Sequence, residues 1–198
     1  MELSQQVAGP LDLADTPLAD TPLDDRLALE AQADPKAFAP LYERHMLRVY
    51  RYLRARGANE DDAAELAALT FERALSHIDR YRPGGSGFGP WLLRIARNAF
   101  IDAGRRQRNR PLGLDEVSGL TAPGQSPEDA AIATEERRWI LSLVARLPEA
   151  QRDALALRFA GGLSSREIAT VIGKSEAATK KLLTRSIATL KEATRNDA

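Results

Sequence analysis

Residues 88–110, FGPWLLRIARNAFIDAGRRQRNR, constrain this 198-residue chain more than any other stretch. The segment opens apolar and closes basic, with six arginines against one aspartate between positions 91 and 110. At 100° per residue it divides into two faces. Trp91, Leu92, Ile95 and Ala99 make an apolar stripe suited to a core, while Arg94, Asn98, Asp102 and Arg105 line another side. Pro90 suits a first helical position, where its missing N–H costs nothing. Such a helix can pack by one face and offer guanidinium, amide and carboxylate groups to phosphates and base edges by the other. A solvated amphipathic helix has the same pattern, so this segment alone leaves both readings open.

A second segment, residues 163–193, LSSREIATVIGKSEAATKKLLTRSIATLKEA with its flanks, tips the balance. Ser164 and Glu167 make an S-x-x-E capping box and start a helix. Gly173 suits its C-terminal cap, and Ser175 can open a second helix three residues later that nothing breaks before about Lys191. Ala169 is small where two helices would cross, and Ile168, Ile172, Leu183, Ile187 and Leu190 supply a buried side. This is the helix-turn-helix layout, whose second helix enters a major groove. Its exposed face is expected to carry Lys180, Lys181, Thr184 and Arg185. Basic helical hairpins without DNA partners are common, and that bland alternative stays beside it.

Together the two segments resemble the bacterial sigma factors of the sigma-70 family, specifically the compact extracytoplasmic-function (ECF) group, over about residues 35–193. Phe88, Trp91, Leu92, Arg94, Ile95, Ala96, Arg97, Asn98 and Asp102 fall on the F-x-x-W-L-x-R-I-A-x-N-x-x-x-D pattern of the family's second region, and Arg105 and Arg106 follow in place. Leu147-Pro148-Glu149, then Arg158 and Gly162-Leu163-Ser164, resemble the fourth region with its helix-turn-helix.

The resemblance implies an all-α fold of two small helical domains joined by a flexible acidic linker. It implies a protein that binds core RNA polymerase and directs promoter recognition, melting and transcription initiation. The implied −10 contacts are Arg94, Arg97, Asn98, Asp102, Arg105, Arg106 and Phe88, with Asn98 on a base edge and the arginines on phosphates. Trp91 belongs more naturally to the core, whereas Phe88 divides evenly between stacking and packing. The implied −35 contacts are Arg166, Lys180, Lys181, Thr184 and Arg185. Glu65, Leu66, Ala68, Leu69, Phe71 and Glu72 fall on the helix that meets the polymerase in the family. Two departures stand out: Ala68-Leu69 precede Thr70-Phe71 where many relatives carry Gln-Glu, and Thr179 and Leu182 replace a usual Val and Arg. Members are often held by an anti-sigma protein, although no residue here names such a partner.

Composition sets the remaining bounds. No apolar run approaches the roughly 18 residues of a membrane span, and no signal peptide opens the chain, so a cytoplasmic protein is expected. The chain has no cysteine, which excludes disulfides and thiol chemistry, and only two histidines, His45 and His77, so no zinc cluster or other cofactor is expected. The loop Gly84-Gly85-Ser86-Gly87-Phe88-Gly89 lacks the preceding strand and following Gly-Lys-Ser/Thr of a phosphate loop. Without a paired nucleophile and base, an enzyme is not expected. The principal rival is a stand-alone helix-turn-helix regulator whose N-terminal block dimerises or binds a ligand. The zero net charge hides a pattern: residues 1–34 hold eight acids and one base, and residues 112–136 hold six acids and no base. Basic charge sits in the helical blocks between and after them, as a DNA-binding footprint requires.

These shifts organise the chain. Residues 1–33, with the ADTPLADTPLDD repeat, read as an acidic extension, disordered or loosely docked. Residues 34–110 read as the first domain, with a core stripe of Phe38, Leu41, Met46, Val49 and Leu53 and a second helix capped by Asn59. Residues 111–126 read as the linker, and 127–198 as the second domain, with helices near 127–146, 149–160, 164–172 and 176–193. The extension is either excess chain or a segment that screens the basic helices. Asp115, Glu116, Glu128 and Asp129 are either a soluble spacer's charges or a mimic of RNA charge in the polymerase channel.

Overall fold

The acidic extension gives way to structure before its expected end: helix α1 runs Thr21–Ala33 in the computed structural model, which describes residues 21–108, 139 and 142–196. Ala28 and Ala31 are buried. The Asp24 carboxylate accepts from Arg44 at 2.8 Å and lies 2.9 Å from the His45 ring, and the Gln32 amide donates to the carbonyls of Ile78 and Tyr81, both at 2.9 Å. The expectation of a loose segment is therefore corrected over 21–33. No row of large hydrophobes marks this helix, because two alanines and a set of polar bonds dock it. The expected linker, with Asp115, Glu116, Glu128 and Asp129, the tail over 1–20 and most of the helix expected at 127–146 lie outside the described residues.

A 3-10 turn over Pro35–Phe38, capped by the Asp34 side chain, leads into α2, Ala39–Ala55. Its buried positions are Leu41, His45, Val49, Tyr52, Leu53 and Arg54. Met46, expected in the core stripe, is 38% exposed; the inner face advances by four residues from Leu41 to His45 to Val49 and leaves it outside. Asn59 caps α3, Glu60–Ser76, accepting from the Asp62 amide at 2.7 Å. Helix α4, Phe88–Arg108, follows after a 3-10 turn at Ile78–Arg80. In the C-terminal part, α5 spans Glu149–Leu155 and runs into a π-helical turn, Ala156–Ala160. Helices α6, Ser165–Ile172, and α7, Glu176–Asn196, complete it. Among the described residues there is no strand.

One apolar cluster runs through both parts, joining Leu41, Phe71, Phe88 and Leu92 of the first with Leu157, Leu163, Ile168 and Leu183 of the second. Helix α4 packs against α6, and α2 against the π-helical turn. Close approach is possible because residue 161 is glycine: a Cβ there would stand 3.0 Å from the Leu93 side chain and 2.6 Å from the Leu157 carbonyl. Leu93, outside the apolar stripe of α4 read from sequence, is fully buried at this seam.

Candidate nucleic-acid interface

Helix α4 starts at Phe88 rather than at Pro90, and this shift decides the role of its first aromatic. Phe88 is fully buried. Its ring meets those of His45 at 5.3 Å, Trp91 at 5.5 Å, Tyr81 at 5.7 Å and Phe38 at 6.3 Å. Phe88, Leu92, Ile95 and Ala99 share one helical face by their spacing of four, three and four. The expected stacking contact at Phe88 is thus corrected: the ring is core, and it fixes how α4 is seated. Trp91 is half-buried against the same cluster.

The outer face of α4 presents Arg94, Asn98, Arg105 and Arg106 to solvent. Asp102 is half-buried and pairs with Arg73 of α3 at 3.4 Å. Arg97 turns the other way, and its Nε donates to Asp153 of α5 at 2.5 Å. In this arrangement Arg97 is separated from the other expected phosphate contacts. Beside Arg94 lies a cavity of about 260 Å³, walled by Arg80, Tyr81, Arg82, Ser86 and Trp91 and bounded on the far side by Thr170 and Val171 of α6. In the sequence its mark is the run Arg80, Arg82 and Gly84–Gly87 just before an arginine-bearing helix.

The helix-turn-helix forms as its caps dictate. Glu167 N–H donates to Ser164 Oγ at 3.2 Å, and Ser164 N–H donates back to the Glu167 carboxylate at 2.8 Å, closing the capping box. Gly173 ends α6 at φ +68°, a left-handed conformation that suits glycine. Ser175 then caps α7, accepting from the Ala178 amide at 3.2 Å. Lys180, Lys181, Thr184 and Arg185 are exposed on α7, and Arg166 on α6. Glu176 lies 2.7 Å from Lys180, an i, i+4 ion pair on the open face. Thr179 is fully buried, its hydroxyl donating to the Ser175 carbonyl at 3.0 Å, which lets a polar residue occupy an apolar site.

The expected polymerase-facing set on α3 divides. Leu66 and Phe71 are buried, with Phe71 against the rings of Phe38 and Tyr42, so both are corrected from contact to core. The inner face of α3 is Ala63, Leu66, Ala67, Thr70, Phe71 and Ala74. Glu65, Ala68 and Glu72 are exposed, and Leu69 is half-buried. On α2 and at the end of α3, Tyr42, Met46 and Leu75 also reach solvent. Among the described residues no group of acids and histidines could hold a metal, and no helix is long and apolar enough to cross a membrane.

Comparison with known proteins agrees with this layout. Residues 41–110 match the family described as Sigma-70 region 2, and residues 137–190 match Sigma-70, region 4. The ECF RNA polymerase sigma factor SigM of Bacillus subtilis is 33% identical over 153 residues, covering 76% of this chain and 91% of SigM. The ECF RNA polymerase sigma factor BldN of Streptomyces coelicolor is 36% identical over 174 residues, 87% of this chain. The chain spans 66% of the length of BldN and 33% of the probable RNA polymerase sigma factor RfaY of Xanthomonas campestris. Among solved structures, CnrH in complex with the cytosolic domain of CnrY has a TM-score of 0.69 at 26% identity, covering 88% of this chain and 99% of that one. The sigma factor RpoE of Bartonella quintana, solved with the anti-sigma factor NepR, shares the fold at a TM-score of 0.64 and 21% identity, covering 82% of this chain and 99% of that one.

Proposed function

The chain belongs to the ECF group of the sigma-70 family, and on that premise we propose that it binds core RNA polymerase and directs promoter recognition, melting and initiation. The observation that carries the reading is the pairing of two separate basic faces on one chain. The outer face of α4 suits an opened strand, and the α7 face suits a duplex groove.

Asn98 would read an unpaired base edge, since an amide offers both a donor and an acceptor. Arg94, Arg105 and Arg106 would hold the phosphates around it, and Arg97 would join them when its bond to Asp153 is released. The cavity beside Arg94 would receive a base swung out of the stack, with Trp91 as an apolar wall and arginines at its rim. On region 4, Lys180, Lys181 and Arg185 would contact the −35 duplex, with Thr184 beside them and Arg166 on the backbone. Each bidentate Arg–guanine contact contributes about 1–3 kcal/mol of discrimination. Polymerase would engage Glu65, Ala68, Leu69 and Glu72 together with the neighbouring Tyr42 and Met46. The chemistry of RNA synthesis belongs to the polymerase, so no catalytic group is required of this chain. An anti-sigma protein would act by covering these same faces.

The test is reconstitution with bacterial core polymerase on a library of randomised promoters. Initiation from selected sequences that depends on the chain is expected. Tight duplex binding by the chain alone, with no association with polymerase, would replace this reading by that of a stand-alone regulator.

A further inference from the structure

Tyr81 is held at both ends by α1. Its hydroxyl donates to the Asp25 carboxylate, and its main-chain carbonyl accepts from the Gln32 amide at 2.9 Å. Asp25 and Gln32 stand at i and i+7, about 20° from each other around the helix, so both face the same segment. The Gln32 amide also donates to the Ile78 carbonyl at 2.9 Å, and its two N–H groups thereby bridge the 3-10 turn Ile78–Arg80. Between these anchors Tyr81 is buried, its ring edge-on to Phe88 at 5.7 Å and to Trp91 at 5.3 Å. Arg82 is tied to the same place, since its guanidinium donates to the carbonyls of Tyr81 at 2.8 Å and Asp79 at 2.5 Å.

These bonds are not what fastens α1. Asp24, about 100° away around the helix, binds Arg44 and His45 of α2, and Ala28 and Ala31 are buried in the shared core. The helix is anchored on that side, and Asp25 and Gln32 act from this fixed base on the segment that follows α3. That segment has little else to hold it. It runs into Gly84 and Gly87, both at positive φ, and a Cβ on Gly84 or Gly85 would meet nothing within 4 Å. Yet Arg80, Tyr81, Arg82, Gly85, Ser86 and Gly87 make one wall of the cavity beside Arg94.

Resting on the sigma-factor reading above, we propose that Asp25 and Gln32 are positioning residues for promoter-strand recognition. By clamping Tyr81 they set the wall and the arginine rim of the cavity, so a helix outside both basic faces governs which base the cavity accepts. A pocket discriminates only as well as its walls are fixed, because a wall that yields admits the wrong base edge at little cost.

The test selects promoters with holoenzyme of core polymerase and the full chain, from a library randomised in both elements. Gln32→Met keeps side-chain length and helix propensity and removes both donors, whereas Gln32→Lys restores donors at similar reach. Asp25→Ala removes the acceptor, and Asp25→Asn keeps one. Gln32→Met and Asp25→Ala are expected to lower the preference for the favoured base at one position of the melted element by about fivefold, the contribution of one hydrogen bond. Selection in the distal duplex element should not change, and Gln32→Lys and Asp25→Asn should select as the wild type does. Unchanged base preference in Gln32→Met and Asp25→Ala would overturn the proposal. So would an even loss over every promoter position, which is the mark of a purely structural role. The chain has two tryptophans, so Trp139→Phe leaves Trp91 as the sole reporter of the wall. Its quenching by acrylamide should rise in Gln32→Met and Asp25→Ala and return to the wild-type value in Gln32→Lys and Asp25→Asn. Wild-type quenching in all four would also overturn the proposal. This second readout needs no polymerase. Absence of initiation by the wild-type chain would sink the sigma-factor reading, and the quenching would still show whether the clamp sets the wall.

Discussion

Phe88 shows how one residue settles the seating of a binding helix. Its ring lies among four aromatic or imidazole rings, and Phe88→Ala should cost about 3–5 kcal/mol of stability in a denaturant titration. A stacking residue would behave differently, losing DNA binding while stability held. His45, behind that ring, gives a pH signature. Burial holds its pKa below the ordinary 6.5, outweighing the pull of Asp24 in the other direction, and Arg48 and Arg44 add to the lowering. The unfolded chain therefore takes up a proton that the folded one resists. This stabilisation is complete above pH 6.5 and is lost as pH falls through the lowered folded value. Wild-type melting temperature should drop between pH 7 and 5, and His45→Gln should flatten part of that drop. An identical profile in the two proteins would contradict the assignment. The Tyr52 phenol, pushed well up by burial and then by the Asp153 carboxylate, stays protonated and keeps donating across this range.

At the scale of elements, the parts legible in the sequence were those whose signals are local. The capping box at Ser164, the left-handed glycine at 173 and the cap at Ser175 lie within a dozen residues, and α6 and α7 form where they predict. Ser164→Ala should therefore cost about 1 kcal/mol, with the loss appearing as faster amide exchange in the first turn of α6. Uniform exchange across both variants would show that packing alone holds that turn. The exposed face of α7 was legible for the same reason, since periodicity fixes it. Helix α1 was not, because alanine contacts and long polar bonds carry no apolar period. The seam was invisible too: Tyr52 meets Asp153 across 101 residues and Arg48 meets Gly161 across 113. Asp153, between Arg152 and the apolar run Ala154-Leu155-Ala156-Leu157, carries no local sign of burial. Only the fold gives it two arginines and a tyrosine. Leu66 and Phe71 were misplaced because the family motif names positions on a helix without separating its inner face from its outer one.

At the scale of the molecule, two small helical units share one apolar cluster, so they should melt together. Calorimetry of the intact chain is expected to give a single transition whose calorimetric and van't Hoff enthalpies agree. Two resolved transitions would mean that the seam contributes little in solution. The same closure places the α4 face and the α7 face on one body, while the proposed function needs them to address two separated DNA elements. That demand is the central claim, and it is tested most directly by which bases each face selects. Promoters recovered from a randomised library by holoenzyme carrying the wild-type chain, Asn98→Ala or Arg185→Ala should be sequenced side by side. The account predicts that Asn98→Ala relaxes selection in the melted upstream edge of the bubble alone, and that Arg185→Ala relaxes it in the distal duplex element alone. Relaxation of the same element by both substitutions, or of neither, would contradict it.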